Sequence, residues 1–267
     1  MPEKKAKPLK NLLGAGGFNK LVKGKWGYVL CNPNDIYVGR AIELYGEYSE
    51  SEAHLFVQLV SEGDIVVEVG SNIGAHTLMF SQRAGGKGRV YAFEPQRVIF
   101  QTLCANLALN SITNVECFQA VVGAESGSVL LPDLKYDTEG NFGGFGAKNF
   151  GQGRKTPQVT LDEFLDVPRL RLVKVDVEGM EIDVLKGAEK TIGKFRPLLY
   201  VENDRVEKSP ELISLLFSLR YKVYWHLPPL FNPENFAGSE ENIYSEILSL
   251  NLPCVPGEAE ANLTGFR

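Results

Sequence analysis

Short apolar runs alternate with helical patterns through most of the chain. Apolar, largely β-branched runs occupy Ile65–Val69, Arg89–Phe93, Val115–Val122, Leu172–Val175, Leu198–Val201 and Tyr221–Trp225. Between them, apolar residues recur at helical spacing over Thr77–Arg83, Gln96–Leu109, Ile182–Ile192 and Leu212–Leu219. Strands that alternate with helices of this length predict right-handed crossovers and an α/β fold with a doubly wound, mainly parallel, Rossmann-like sheet. A last apolar run, Ile243–Leu250, is expected to add a strand at the sheet edge.

Three regions depart from this alternation and suggest the domain boundaries. Residues 1–60 are expected to form an amino-terminal extension, with an arm over 1–24, extended pieces over Tyr28–Tyr45 and a helix opened by a Ser49–Glu52 capping box. Residues 61–256 form the α/β domain and 257–267 a tail. Within the domain, residues 132–157 are rich in glycine, and a connection of this length is typical of a functional lid or a disordered segment.

Composition narrows the class of protein. The chain has 267 residues, of which 44% are hydrophobic and 23% charged, so it can form a substantial core. Its net charge of −5 argues against nucleic acid as a partner. The four cysteines form no C-x-x-C pair, which is typical of reduced thiols. Because no apolar run has the length of a signal peptide or a membrane span, we expect a cytoplasmic protein with no membrane partner.

The first candidate site follows the strand Ile65–Val69, in a loop that runs Glu68-Val69-Gly70-Ser71-Asn72-Ile73-Gly74. Open α/β sheets bind ligands at the carboxyl ends of their strands. Gly70 and Gly74 permit a sharp turn and a close approach to a ligand. The G-x-x-x-G spacing differs from the G-x-G-x-x-G of dinucleotide sites, and Glu68 disfavours a phosphate but favours an amine or a sulfonium. The loop therefore suits S-adenosylmethionine as a cofactor.

A second acid ends the next strand, where Phe93-Glu94-Pro95 follows Gly74 by about 20 residues. A carboxylate at this place can accept hydrogen bonds from both hydroxyls of an adenosine ribose. Either motif alone is also typical of a turn with a solvated acid. Together, at matching strand ends and in this order, they favour a cofactor site that includes Glu94.

A third acidic motif, Lys174-Val175-Asp176-Val177-Glu178-Gly179, ends the fourth strand. Asp176 is expected to hold the cofactor, to accept a proton from the acceptor or to help bind a divalent cation. Glu178 is equally well explained as an acid that favours a helix dipole. Glu202 ends the fifth strand at the same edge. It could complete a cation site with Asp176, although a pair of solvated acids explains the pattern better, so a metal requirement stays open.

The remaining candidates are histidines and aromatic residues. His76 falls in the first helical turn after the glycine loop and is a candidate general base, although a structural hydrogen bond explains it equally well. His226 is a weaker candidate, and His54 is expected at the surface. Four amino-terminal side chains and the 132–157 insert are candidate acceptor contacts, with ordinary packing as the alternative; the side chains are Tyr37, Arg40, Tyr45 and Tyr48.

Taken together, these motifs resemble those of the FkbM family of methyltransferases. The resemblance extends from about residue 27 to 256 and rests on the segments Asp35–Arg40, Tyr45–Glu47, Val66–Gly74, Tyr91–Pro95, Leu161–Asp162, Leu172–Glu181, Leu185–Ala188, Arg196–Pro197, Val201–Glu202 and Leu252–Pro256. It implies a class I methyltransferase fold and transfer of a methyl group to oxygen, typically on sugars, polyketides or related small molecules. By position, Glu68, Gly70, Asn72 and Gly74 correspond to the cofactor loop and Glu94 to the ribose acid. Glu68 stands where many members have Asp.

Two other functions compete with methyl transfer. A nucleotide-dependent oxidoreductase is disfavoured because the chain lacks G-x-G-x-x-G. A non-catalytic binding module of the same fold is disfavoured because the cofactor loop is intact. The sequence leaves open the acceptor and the oligomeric state, and it offers Asp176, Glu202 and His76 as the groups that deprotonate an acceptor hydroxyl.

Overall fold

The computed structural model describes residues 10–13, 16–144 and 152–259. Parts of the expected arm, insert and tail, namely residues 1–9, 14–15, 145–151 and 260–267, lie outside the described residues. The proposed domain boundaries therefore stay predictions. None of the helices within the described ranges combines the length and the apolar character needed to cross a lipid bilayer.

An amino-terminal hairpin and two helices precede the main sheet. The elements up to the small second sheet are β1 (Lys20–Gly24), β2 (Gly27–Cys31), α1 (Val38–Tyr45), α2 (Glu50–Leu59), β3 (Ile65–Val69), α3 (Ala75–Ala84), β4 (Arg89–Phe93), α4 (Arg97–Leu109), β5 (Val115–Phe118), β6 (Val121–Val122), β7 (Gly127–Leu131) and β8 (Arg154–Val159). They are followed by α5 (Leu161–Phe164), β9 (Leu172–Val175), α6 (Glu181–Lys186), α7 (Glu189–Phe195), β10 (Leu198–Glu202), α8 (Ser209–Ser218), β11 (Tyr221–Val223) and β12 (Asn251–Pro256).

The main sheet has seven strands in the order β11-β12-β10-β9-β3-β4-β5. All neighbours from β10 to β5 pair in parallel, and β12 is antiparallel to both β10 and β11. The strand order reverses between β3 and β9, because β4 extends the sheet on one side and β10 on the other. This confirms the predicted doubly wound, mainly parallel, Rossmann-like α/β fold and puts the reversal point at Val69 and Val175.

Alternating strand residues fill a core on each face of the sheet. On one face, Val67 of β3 and Val173 of β9 pack against α6, α7 and α8. On the other face, Val66 and Leu172 pack against Phe56 of α2 and the residues of α3. Because helices cover both faces, the central strands are apolar at nearly every position. A charged residue within one of these strands is therefore unusual and needs a partner.

Two predicted elements are interrupted in the structure. The strand predicted over Val115–Val122 is two strands, since β5 belongs to the main sheet and β6 pairs with β8 in a separate three-stranded sheet. The helix predicted over Ile182–Ile192 is also two, α6 and α7, which are separated at Gly187. A Cβ at Gly187 would lie 2.0 Å from the carbonyl oxygen of Gly123, so this backbone contact needs a glycine.

Other predictions from the sequence are wrong. Ile243–Leu250 is not a strand; the strand is Asn251–Pro256, which lies between β10 and β11 rather than at the edge. Pro253 and Pro256 argue against a strand in the sequence, because proline is depleted in central strands. Val38–Tyr45, expected to be extended, is α1, whose buried residues recur at helical spacing. Helix α2 begins beside Ser49 as predicted, but this residue has a φ of 44° and its side chain makes no capping hydrogen bond.

Candidate functional site

The main cavity lies at the carboxyl ends of the parallel strands and has a volume of about 490 Å³. Residues at the ends of β3, β4, β9 and β10 line it, together with residues from the amino-terminal helices and from the segment before β12. Of the candidate site residues, it brings together Glu68, Gly70, Asn72, His76, Glu94, Asp176 and Glu202. The cavity thus occupies the place where the strand order reverses, as expected for a ligand site in such a sheet.

The loop after β3 is held against the ends of β4 and β9. The amides of Gly70 and Ser71 both donate to the carbonyl oxygen of Phe93 at 3.0 Å. Gly70 has a φ of 85°, and a Cβ on it would lie 1.8 Å from the carbonyl oxygen of Asp176. No side chain fits between the two strand ends, so the backbone of the loop forms the cavity floor. Asn72 follows with a φ of 48°.

Gly74 has a local role instead. It precedes α3 with a φ of 89°, and a Cβ on it would meet the side chain of Leu103. It does not belong to the residues that line the cavity. The assignment of Gly74 to the cofactor site stays a prediction, and its left-handed conformation starts the helix.

Glu94 is a buried carboxylate at the end of β4. Its Oε1 accepts a hydrogen bond from the amide of Gln96 at 2.8 Å, and its Oε2 accepts one from the amide of Asn72 at 3.0 Å. Burial raises its pKa to about 7, even though both amide hydrogen bonds oppose the shift. The backbone fixes the direction of both oxygens, and each keeps a lone pair for a further donor.

Glu68 lies inside β3 and is 1% exposed. Its Oε2 accepts a hydrogen bond from Oγ1 of Thr77 at 2.5 Å. Burial raises its pKa to about 7, although the nearby Lys174 ammonium lowers it. In the strand register, Glu68 is opposite Lys174 of β9. The negative charge expected at the glycine loop is therefore partly balanced by a lysine.

Asp176 follows β9 and faces the cavity with 38% of its side chain exposed. Its Oδ2 accepts a hydrogen bond from Nζ of Lys174 at 2.8 Å. Burial alone would raise its pKa, but the Lys174 ammonium outweighs burial and brings the pKa below its usual value. Asp176 is thus a carboxylate at neutral pH.

Three acids after β9 and β10 form a cluster with one arginine. Carboxylate oxygens of Glu178, Glu202 and Asp204 lie within 4.8 Å of one another. Arg205 donates to Glu178 at 2.5 Å and lies 3.1 Å from Asp204. Burial and the charge of Asp176 raise the pKa of Glu202 well above its usual value. Because a guanidinium already neutralises this cluster, we assign no metal to it.

His76 lines the cavity, but its surroundings make it a weak base. Burial, together with the nearby Lys174 ammonium, lowers its pKa to about 3. Its Nε2 is buried and has no hydrogen-bond partner among the described residues. The ring lies beside Tyr48 and Phe56. His226 pairs through Nδ1 with Tyr200 at 2.9 Å and is not among the residues that line the cavity.

The amino-terminal candidates divide into two groups. Tyr37 and Tyr48 line the cavity. Tyr45 is instead buried against Phe231, and Arg40 lies 3.3 Å from Glu139. Asn141, Gly143 and Gly144 of the 132–157 insert also line the cavity. Several other lining residues were not anticipated as site residues; they are Glu52, Lys174, Arg205 and the segment Ile247–Asn251.

A smaller cavity of about 50 Å³ opens beside Glu94. It is lined mainly by apolar side chains, which include Ala120, Val121 and Phe142. Gln96 also lines it, and the Nε2 of this side chain is buried without a hydrogen-bond partner among the described residues. An unpaired buried amide beside apolar walls suits a flat ring that carries hydrogen-bond acceptors.

Several known proteins are similar to this chain in sequence. The family described as "Methyltransferase FkbM domain" matches residues 68–223, more than half of the chain. "Methyltransferase 1" of Beauveria bassiana is 28% identical over 180 residues, which cover 58% of this chain and 72% of the relative. "Hexuronic acid methyltransferase AglP" of Haloferax volcanii is 30% identical over 154 residues, which cover 56% of this chain and 59% of AglP.

A solved structure supports the fold. The crystal structure of "Methyltransferase FkbM" from Methylobacillus flagellatus KT aligns with a TM-score of 0.50 and 19% identity, and it covers 71% of this chain. This chain spans 43% of that longer protein, so the likeness concerns the fold alone. Because the family match covers residues 68–223, from the end of β3 through β4, β9 and β10, the chain belongs to the FkbM methyltransferase family.

Proposed function

We propose that this chain is an S-adenosylmethionine-dependent enzyme that methylates a hydroxyl oxygen of a small, sugar-like acceptor. The observation that carries the proposal is the convergence of three strand ends on one cavity. Gly70 comes from β3, Glu94 from β4 and Asp176 from β9, and all three line the same space. A bare backbone, a carboxylate held by backbone amides and an ionised carboxylate at such a rim suit a cationic nucleoside.

The residues present fit the cofactor. Because Gly70 has no Cβ, the ends of β3 and β9 can come together and the loop backbone lines the cavity. The two oxygens of Glu94 are held by backbone amides and can each accept a hydrogen bond from a ribose hydroxyl. The small cavity beside it has apolar walls and the unpaired amide of Gln96, which suits an adenine ring. Glu68 and Asn72 would then lie along the methionine end, where an amine favours a nearby acid.

Asp176 is the proposed proton acceptor. When bound, S-adenosylmethionine supplies a methyl group whose bond to a positively charged sulfur breaks as the acceptor oxygen attacks, and the electron pair of that bond stays on sulfur. The Asp176 carboxylate takes the proton of the acceptor hydroxyl. Its charge also favours the cationic end of the cofactor, so Asp176 has both a binding role and a catalytic role. Glu202, whose pKa is raised well above its usual value by burial and by the charge of Asp176, is the neighbouring acid rather than a second base.

The acceptor is proposed to enter from the side of the amino-terminal helices. Tyr37 and Tyr48 line the cavity there, and Leu230 and Leu248 line it as well. Aromatic rings pack well against the faces of sugar rings. The relative AglP is named for a hexuronic acid substrate, which supports a carbohydrate acceptor.

Transfer of labelled methyl groups tests the proposal. The protein is incubated with methyl-labelled S-adenosylmethionine and a panel of neutral sugars, uronic acids and hydroxylated polyketides. We expect label in a product that survives mild base, because a methyl ether resists conditions that hydrolyse a methyl ester. Label that is recovered only as a base-labile ester, or only on nitrogen, would contradict the hydroxyl acceptor.

A further inference from the structure

Lys174 is a buried cation near the centre of the main sheet. It lies in β9, where the register puts it opposite Glu68 of β3 and Tyr200 of β10. Only 2% of the residue is exposed. Lysine is almost never buried to this extent without carboxylate partners, because the cost of desolvating its charge is high. Its partners therefore indicate its role.

Three carboxylates surround the Lys174 ammonium. Its Nζ donates to Oδ2 of Asp176 at 2.8 Å, and Glu68 and Glu52 interact with it electrostatically. Burial alone would lower the pKa of Lys174, but the three acids together raise it above its usual value. The side chain therefore remains charged across the range in which the acids titrate.

The other two carboxylates have neutral donors of their own. Oγ1 of Thr77 donates to Glu68 at 2.5 Å, and Nδ2 of Asn251 donates to Glu52 at 3.1 Å. The hydrogen bond from Lys174 is directed at the remaining acid, Asp176, which is the one that faces the cavity. Lys174, in the interior of the sheet, is thus hydrogen-bonded to Asp176, the acid at the edge of the sheet that faces the cavity.

Groups from every neighbouring element face Asp176. They are Lys174 of β9, Glu68 of β3, Glu94 after β4, His76 of α3, Tyr48 and Glu52 at the start of α2, Tyr200 and Glu202 of β10, Asp204 and Arg205 after β10, and Glu178 and Glu181 after β9. Most of them are acids, and Arg205 is already paired with Glu178 and Asp204. Without Lys174, Asp176 would be a partly buried acid among other acids and would take up a proton.

We propose that Lys174 is a positioning residue, which fixes the Asp176 carboxylate at the reacting end of the cavity and keeps it ionised. This inference rests on the proposed function, in which Asp176 accepts the hydroxyl proton. Lys174 acts only through Asp176.

Titration of Asp176 tests the proposal without any need for turnover. Carbon-13 carboxyl signals of labelled aspartates are followed against pH in the wild type, Lys174→Met and Lys174→Arg, and the Asp176 signal is identified by its absence from Asp176→Asn. We expect the Asp176 midpoint to rise by about two pH units or more in Lys174→Met. In Lys174→Arg, which keeps the charge, the midpoint should stay close to the wild-type value. In Lys174→Met, the acid limb of the plot of kcat against pH should move to higher pH together with the Asp176 midpoint.

An Asp176 midpoint in Lys174→Met that equals the wild-type midpoint would overturn the proposal. If the methionine variant does not fold, titration of the wild type is the test, because the proposal requires its Asp176 to titrate below the usual value of about 3.9. A wild-type midpoint at or above that value also overturns the proposal. Folded protein that transfers no methyl group to any acceptor would instead count against the proposed function, because the titration is read independently of turnover.

Discussion

Replacing Asp176 with asparagine is expected to lower kcat by about 10²- to 10⁴-fold at saturating S-adenosylmethionine, the usual contribution of a general base. Asparagine has nearly the same shape but cannot accept the proton of a hydroxyl. It also leaves the buried Lys174 ammonium without its charged partner at 2.8 Å. The loss should therefore be in kcat, measured with labelled cofactor at several pH values.

The split between kcat and KM separates the two roles of Asp176. If the residue only holds the cofactor, Asp176→Asn will raise the KM for S-adenosylmethionine and keep most of kcat. Asp166→Asn is the matched control, because this residue is exposed and lies outside both the main cavity and the 132–157 insert. Full turnover by Asp176→Asn at all pH values would rule out the base assignment.

Replacing Gly70 with alanine is expected to weaken cofactor binding by about 100-fold or to unfold the chain. The new Cβ would lie 1.8 Å from the carbonyl oxygen of Asp176, and the backbone φ of 85° is strained for any residue with a side chain. Relief requires the ends of β3 and β9 to separate, which would displace both walls of the proposed cofactor site. Calorimetry with S-adenosylhomocysteine and thermal unfolding measure the two outcomes.

Gly86→Ala provides the control for this substitution. A Cβ there meets nothing within 4 Å, and its backbone has no positive φ. We expect wild-type stability and wild-type cofactor affinity in this variant. Gly70→Ala protein that binds S-adenosylhomocysteine as tightly as Gly86→Ala does would show that the close approach of the two strands is not needed.

The sequence predicted the residues at strand ends well, because parallel strands bring their carboxyl ends to one edge. Gly70, Glu94 and Asp176 follow three separate strands, and all three line one cavity. The repeated strand–helix pattern predicted a doubly wound, mainly parallel sheet, while the pairing of β3 with β9 is seen only in the structure. The type of sheet and the candidate rim could therefore be derived from local patterns.

The buried charges could not be predicted in the same way. Lys174 stands in an apolar strand, and the sequence does not tell which residue of another strand lies opposite it. Glu52 has the spacing of a capping residue, but it is buried and accepts a hydrogen bond from Asn251, 199 positions away along the chain. Pairing over such separations depends on tertiary packing, as does the neutral state of His76.

The last strand, β12, shows the same limit of prediction from sequence. Pro253 and Pro256 mask β12, although this strand is buried throughout and pairs on both sides. Proline disfavours a central strand by local rules, and only the antiparallel pairing with β10 and β11 explains its place. Here tertiary structure overrides a local preference.

Calorimetric titration with S-adenosylhomocysteine, in the wild type and in Glu94→Ala, tests the cofactor assignment most directly. Glu62→Ala is the control, because that side chain is 66% exposed and lies outside the main cavity. We predict binding to the wild type and to the control, and affinity weakened by about tenfold or more in Glu94→Ala, as expected when hydrogen bonds to a charged group are lost. Folded wild-type protein that does not bind, or a Glu94→Ala variant that binds equally well, would contradict the account.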